Sequence, residues 1–394
     1  MRTLLRTFHA VFLACVVVYF WTGVAAGAPV CSESATDPLL PDELPYFVDD
    51  LSLELLGPAV DRSVRYLARL PAERMYSLCG KRYSVGWLQE SLRAFGRLVA
   101  EKPTPEVLTQ IIKEQFIVCR ASGRNSDGKV FLTGYFEPFL PASLERTEVF
   151  RYPLYRTPPD LVSPPNGKGK VGRMENGALL PYWTRAEIEG GGLLAGHELL
   201  YLADPVDAFV LHVQGSGQVR LADNTVRRVQ YAAKNGRDYR SIGRYLVEKG
   251  ILPLEEVTMP RIVSYLQEHP EEQLEVLRHN DSFVFFRWGD DSAGGPQGCL
   301  GEPLTPGRSV ALDQGCFPPG ILGFVKGRKP RVDEGGTIVG WEPLQRFVLN
   351  QDTGSAISGP GRLDLFWGAG QYAEVAAGNM KHPGTLYFLV KKKK

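Results

Sequence analysis

QDTGSAISGPGRLDLFWG, residues 351 to 368, sets two aspartates in one glycine-rich stretch, Asp352 before Thr353-Gly354 and Asp364 inside an apolar run. Asp-Thr-Gly is the loop chemistry of an aspartic peptidase, in which two equivalent carboxylates share a proton. This chain has one such loop, no second Asp-Thr/Ser-Gly and no half-to-half repeat, so a peptidase site would require a second copy. Asp364 stands between Leu363 and Leu365-Phe366-Trp367, neighbours that desolvate a carboxyl group and raise its pKa, and Asp352 adds like-charge repulsion in the same direction. Such a group suits proton donation. The bland alternatives are an Asp364 on the exposed side of an alternating strand and an Asp352 that accepts backbone hydrogen bonds in a turn.

The segments around this stretch are short and rich in β-formers. KVFLTGYF (129–136), VFRYPLY (149–155), ELLYLA (198–203), AFVLHVQGSGQVRL (208–221), SFVFF (282–286), RSVALD (308–313), ILGFV (321–325), RFVLNQD (346–352), RLDLFW (362–367) and LYFLV (386–390) all predict strands. Asp223-Asn224 predicts a hairpin turn into VRRVQY (226–231). From about 50 to 118 the apolar spacing is helical, with Ser84 and Thr104-Pro105 as caps, and further helices are expected over Arg240–Lys249, 257–268 and 271–279. The fold class is mainly β with α (α+β). Strands joined by irregular Gly/Pro-rich loops predict a barrel in place of a parallel βαβ sheet.

The 394 residues, 44% hydrophobic and 23% charged, suffice for two cored domains. Forty-five basic against 44 acidic residues leave a net charge of +1, so no overall field recruits nucleic acid, and the Lys391–Lys394 run is taken as a solvated tail. Residues 1–28 carry Arg2 and Arg6, an apolar stretch from Phe8 to Tyr19 and the small residues Val24–Ala28, the three-part pattern of a secretory signal. Export leaves Cys31, Cys79, Cys119, Cys299 and Cys316 in an oxidising compartment. The expected pairs are Cys79 with Cys119 and Cys299 with Cys316, leaving Cys31 free or lipid-bearing. No Cys-x-x-Cys or His-x-x-x-His spacing indicates a metal.

Two further motifs place polar groups beside strand glycines, where a ligand or another backbone can approach closely. Gln214-Gly215-Ser216-Gly217 offers donors to sugar hydroxyls, or equally a bulge; Thr133-Gly134-Tyr135 offers an aromatic face for a pyranose ring, or ordinary core. Glu137, before Pro138, is a possible second carboxylate at a strand end, and Lys234-Asn235-Gly236 is most simply a turn.

Taken in order, FLTGYFEP (131–138), YPLYRTP (152–158), VQGSGQVRL (213–221), YAAKNGRDYRSIGRYL (231–246), NDSFVFFR (280–287), PLTPGRSVALD (303–313) and QDTGSAISGPGRLDLFWGAG (351–370) resemble the MltA family of lytic murein transglycosylases. The last motif also resembles the 3D domain, whose three aspartates here are Asp313, Asp352 and Asp364. The resemblance implies a double-psi β-barrel built from residues 40–138 together with 289–391, its 3D-like part at 303–391, and an inserted β-rich domain at 139–288. It implies Asp364 as the catalytic acid, Asp352 and Asp313 in support, and Thr133, Gly134, Tyr135, Gln214, Gly215 and Ser216 along the groove for peptidoglycan glycan strands. It further implies a monomer needing no cofactor and no metal, exported to the periplasm or the outer membrane, with cell-wall synthesis or division proteins as candidate partners. A non-catalytic wall-binding or wall-loosening barrel is the alternative. Ser355, where a second glycine is common, and Pro318-Pro319 soon after Asp313 depart from the family pattern.

Overall fold

The structure is a computed structural model that describes residues 31, 35–164, 170–290, 294–354 and 356–393; the expected leader and Ser355 lie outside the described residues. Six strands close on one another in the order Val130–Glu137, His382–Lys391, Leu322–Val332, Ile338–Asp352, Ser309–Ala311 and Arg362–Ala369, the last pairing back onto the first. This closed barrel is the one expected, in an order compatible with the double-psi type. Two of its contacts are parallel, Arg362–Ala369 with Val130–Glu137 and Ser309–Ala311 with Ile338–Asp352. Phe116–Ala121 pairs with the outer part of the His382–Lys391 strand, and Thr36–Pro38 extends that edge.

The helices before the barrel form where their caps allow. Ser84 accepts from Trp87 N at the start of Val85–Ala100, and Thr104 accepts from Val107 N at the start of Pro105–Gln115, each satisfying an otherwise orphaned amide. Leu56–Ala68 and Val85–Ala100 turn their apolar faces onto the barrel, where Phe95 is fully buried with its ring 4.8 Å from Phe347 and 6.2 Å from Phe116. Truncating such a ring to alanine costs about 3–5 kcal/mol. The helical stretch is shorter than expected at two places. Met75–Leu78 and Lys81–Ser84 make a hairpin whose two turn residues, Cys79 (φ 51°) and Gly80 (φ 67°), take the left-handed conformation a tight hairpin needs. Phe116 already begins a strand.

Between Glu137 and Gly289 the chain builds a second sheet of six strands in the order 284–288, 226–234, 216–220, 139–143, 198–202, 152–155, with separate apolar clusters around Leu200, Leu266 and Phe285. The predicted Asp223-Asn224 hairpin is present, with Asn224 at φ 64°. The predicted strand over 208–221 is a correction: Pro205–Gln214 is a helix, capped by Asp204 and ended by Gly215 at φ 77°, and only Ser216–Arg220 is strand. An apolar run packed on several sides satisfies either period, and the Asp204-Pro205 start decides for the helix.

The cysteine expectations change as well. Cys79–Cys119 is joined as predicted, tying the hairpin to the edge strand, but Cys316 pairs with Cys31 and Cys299 is the free thiol. With its sulfur in a disulfide, Cys31 is neither free nor available for a thioether lipid. Spacing had favoured Cys299 as the local partner; the chain instead brings residue 31 back across 285 positions. Among the described residues, no helix is long and apolar enough to cross a membrane.

Candidate active site

Asp364 sits in the middle of the Arg362–Ala369 strand, flanked on one side by Thr133 and on the other by Ala311, its register partners. Ala311 is in turn the register partner of Asp352. The two acids thus face each other across one small residue on the intervening strand. The strands also explain the alternation: Leu363 and Leu365 turn into the barrel core and are fully buried, while the Asp364 side chain is left part-exposed between them. The side chain is not turned out to bulk water, and the desolvation expected from its apolar neighbours is present.

Thr133 Oγ1 donates to Asp364 Oδ1 at 2.8 Å, and Arg362 donates in turn to Thr133 Oγ1 at 3.3 Å while its guanidinium lies 5.2 Å from the Phe131 ring. Burial pushes the Asp364 pKa up to about 6; the Thr133 hydrogen bond and the Arg362 charge oppose the rise, and Asp352 adds to it. Desolvation is therefore the larger effect, and the group stays protonated in mildly acid conditions.

Asp352 is held differently. Its Oδ2 accepts from the Tyr135 hydroxyl at 2.8 Å and its Oδ1 from the Cys299 backbone amide at 3.0 Å. Burial raises its pKa, and these donors together with the Thr353 amide oppose that. The Tyr135 ring packs 5.2 Å from Phe366, and burial first, then Asp352, holds its hydroxyl far above the ordinary value, so it remains a donor. Asp313 lies further along, where Oδ2 accepts from Gly359 N at 2.7 Å and Oδ1 from Gly315 N at 2.8 Å. Its carboxylate clamps the loop between Asp352 and Asp364 to the turn after residue 311. The Gly359 amide is thus already occupied, as is that of Ile357, which donates to Gly354 O.

The remaining predicted site residues divide. Gln214 ends its helix with Oε1 accepting from Phe136 N at 3.0 Å, fastening the second sheet to the barrel strand that carries Thr133 and Tyr135. Gly215 is the left-handed helix end, and Ser216 begins the strand beyond it, partly exposed. Gly134 serves packing: a Cβ there would come within 2.6 Å of Trp367 Nε1. Glu137 is buried and paired with Arg228 and, at 2.9 Å, with Gln218, so it is a structural acid at the crossing between the sheets. Asn235 is likewise more than a turn: fully buried, it donates to Trp183 O and Asp281 O and accepts from Phe283 N. Sequence reasoning missed Arg362 and Cys299. Arg362 carried a signal, being two residues before Asp364 on the same face of a strand, whereas Cys299 acts through its backbone amide and left none.

Behind the site, Gln351 is buried and points to the opposite side of its strand, donating to Ala59 O and Ser63 Oγ of Leu56–Ala68 and accepting from Ser309 Oγ at 2.6 Å. The helix thereby fixes the strand on which Asp352 rides. The Cys31, Asp313 and Cys316 side chains gather in one place, but both sulfurs are spent in the disulfide, which leaves a single carboxylate as a metal ligand.

Comparison with known proteins returns one consistent group. The family model described as the MltA specific insert domain matches residues 131–287, and that of the 3D domain matches residues 308–390. Membrane-bound lytic murein transglycosylase A of Escherichia coli K12 is 34% identical over 269 residues, covering 68% of this chain and 67% of that protein. The protein of the same name from Vibrio cholerae is 36% identical over 273 residues, 68% of this chain and 67% of its own. Among solved structures, membrane-bound lytic murein transglycosylase from Agrobacterium tumefaciens superposes with a TM-score of 0.73 at 30% identity, covering 91% of this chain and 98% of that one. The E. coli protein with bound chitohexaose gives a TM-score of 0.68 at 25% identity, covering 92% and 96%.

Proposed function

Since the chain belongs to the MltA family of lytic murein transglycosylases, we propose that it is a peptidoglycan-cleaving lyase that breaks the β-1,4 bond between MurNAc and GlcNAc without hydrolysis. Asp364 donates its proton to the glycosidic oxygen as the C1–O4 bond breaks. The C6 hydroxyl of the same muramic residue attacks C1 and closes a 1,6-anhydro ring, and its proton returns to the Asp364 carboxylate. The attacking hydroxyl is tethered, and well-oriented intramolecular reactions reach effective molarities on the order of 10⁵ M or more, so no water need be activated.

The observation that carries this reading is the unequal state of the three carboxylates. Glycoside hydrolases need a second carboxylate, as nucleophile or as base for water. Here Asp352 accepts from Tyr135 and Cys299, and Asp313 from two glycine amides, while Asp364, among the described residues, accepts only from Thr133 and has its pKa pushed to about 6. Residues 40–138 with 289–391 then act as the catalytic barrel and 139–288 as the insert that walls the glycan groove. Gln214 fixes the relation of the two, Ser216 and Tyr135 line the groove, and Thr133 orients the acid. An exported, periplasmic location follows from the leader-like residues 1–28.

The test is the mass of the sugar terminus released from purified murein. Anhydromuramic ends, one water lighter than the hydrolytic product, are expected. Reducing ends would overturn the mechanism.

A further inference from the structure

A cavity of about 340 Å³ lies between the Met75–Ser84 hairpin, the edge strand Phe116–Ala121 and the chain end, lined by Lys81, Arg82, Tyr83, Ile117, Lys392 and Lys393. Four of these six residues are cationic and none is acidic. Lys81, Arg82, Lys392 and Lys393 are exposed, Ile117 supplies a part-buried apolar wall, and Tyr83 is 2% exposed. The Tyr83 hydroxyl is buried beneath this surface without a hydrogen-bond partner. Burial raises its pKa, so it keeps its proton. The Lys393 ammonium stands 5.9 Å from the Tyr83 ring and 5.8 Å from the Trp87 ring, which turns the chain end back over the cavity in place of a freely solvated tail. Lys392 is held by Lys113 O at 2.8 Å. The acid next to this group, Glu90, is already shared by Lys391 at 2.9 Å and Arg97 at 3.3 Å.

We propose that this basic cavity is a docking site for the phosphate headgroup of an anionic phospholipid, seating the protein on a membrane surface. Charge complementarity selects a phosphate-bearing anion, and the isoleucine wall suits a headgroup that enters with part of its glycerol. The site is remote from the candidate acid. Its strand runs from His382, the register partner of Leu132 beside Thr133, to Lys391 and on into Lys392, about 33 Å at roughly 3.3 Å per residue. Docking there leaves the glycan groove free. It also offers an attachment that does not use the Cys31 sulfur, which the disulfide to Cys316 occupies. The proposal shares with the proposed function only the periplasmic setting, and its test reads binding, so the two can fail separately.

The exported protein is sedimented with vesicles of phosphatidylcholine alone and of phosphatidylcholine with phosphatidylglycerol. Binding is expected only to the second, weakening with salt as screening shortens. Lys81→Gln and Arg82→Gln should each weaken it about fivefold, the effect of roughly 1 kcal/mol per cation near an anionic surface. Arg151→Gln/Lys249→Gln, which lowers the net charge elsewhere, should leave binding unchanged. Equal binding to both vesicles, equal loss in the Arg151/Lys249 control, or Lys81→Gln and Arg82→Gln variants that bind like the wild type would overturn the site. Protection of the protein against heat by inorganic phosphate, without vesicle binding, would assign the cavity to a soluble anion and overturn the lipid.

Discussion

Arg185 in the insert and Asp364 in the barrel are both drawn out of water, and their surroundings differ. Arg185 is 2% exposed and donates to Asn280 O, Ser282 O and Glu189, with a further hydrogen bond to His212 Nδ1 and the rings of Phe209 and Phe283 at 4.9 and 5.0 Å. Burial and that guanidinium keep His212 well below the ordinary histidine pKa, so it is neutral and accepts. Asp364 accepts from one hydroxyl and meets its cation only through Thr133. A buried charge whose hydrogen bonds are filled holds structure together, whereas one left short of partners changes protonation state easily and can do chemistry.

The comparison breaks most directly at Asp364. Asp364→Asn should lower turnover by a factor of about 10³ or more in a murein-release assay, as expected for loss of a sole acid and base. It should not cost stability. The folded pKa of about 6 lies above the unfolded aspartate value, so ionisation destabilises the fold as pH rises through that interval. The asparagine variant should therefore be more stable than wild type at pH 7, by up to about 3 kcal/mol before solvent screening is allowed for, and equal to it near pH 4. Denaturant melts at the two pH values check this, and a destabilised variant at pH 7 would contradict the protonated, partner-poor Asp364.

Arg185→Met should do the reverse, costing roughly 3–5 kcal/mol by stranding carbonyls and Glu189, while turnover per folded molecule stays unchanged. A smaller effect belongs to Thr133→Val. Its hydroxyl lowers the Asp364 pKa, so removal should move the alkaline limb of the pH–rate profile upward from near 6 and reduce the plateau rate about tenfold. The other charged groups facing Asp364, Arg362 and Asp352, remain in place in that variant. Smallest of all is Cys299→Ser. Asp352 takes the backbone amide of residue 299, not the thiol, whose pKa burial and Asp352 raise. Activity should stay within about twofold, and a larger loss would give the sulfur a role that its contacts do not suggest.

The barrel strands were legible only in their β-rich cores: 321–325 and 346–352 were read, whereas Leu322–Val332 and Ile338–Asp352 run to 11 and 15 residues through polar and glycine-bearing sequence that carries no strand pattern, and the helix caps Ser84 and Thr104 hold as predicted. The raised pKa of Asp364 was legible from its apolar neighbours. What misled was local ambiguity: Ala208–Val213 satisfies a buried helix as well as a strand, and Phe116 follows a helical pattern without a break. The Cys31–Cys316 link and the Cys299 amide on Asp352 are long-range facts with no local imprint. Gly134 was singled out for a ligand's approach, and the close approach is that of Trp367.

The parallel pairing of Val130–Glu137 with Arg362–Ala369 joins residues 231 positions apart, Thr133 to Asp364, with the whole second sheet threaded between them. A growing chain thus displays Tyr135 and Thr133 long before Asp364, the carboxylate to which Thr133 donates, exists. Any product truncated ahead of residue 362 lacks both Asp364 and the strand that closes the barrel, so a cell that halts synthesis midway releases a sheet with open edges instead of a closed barrel.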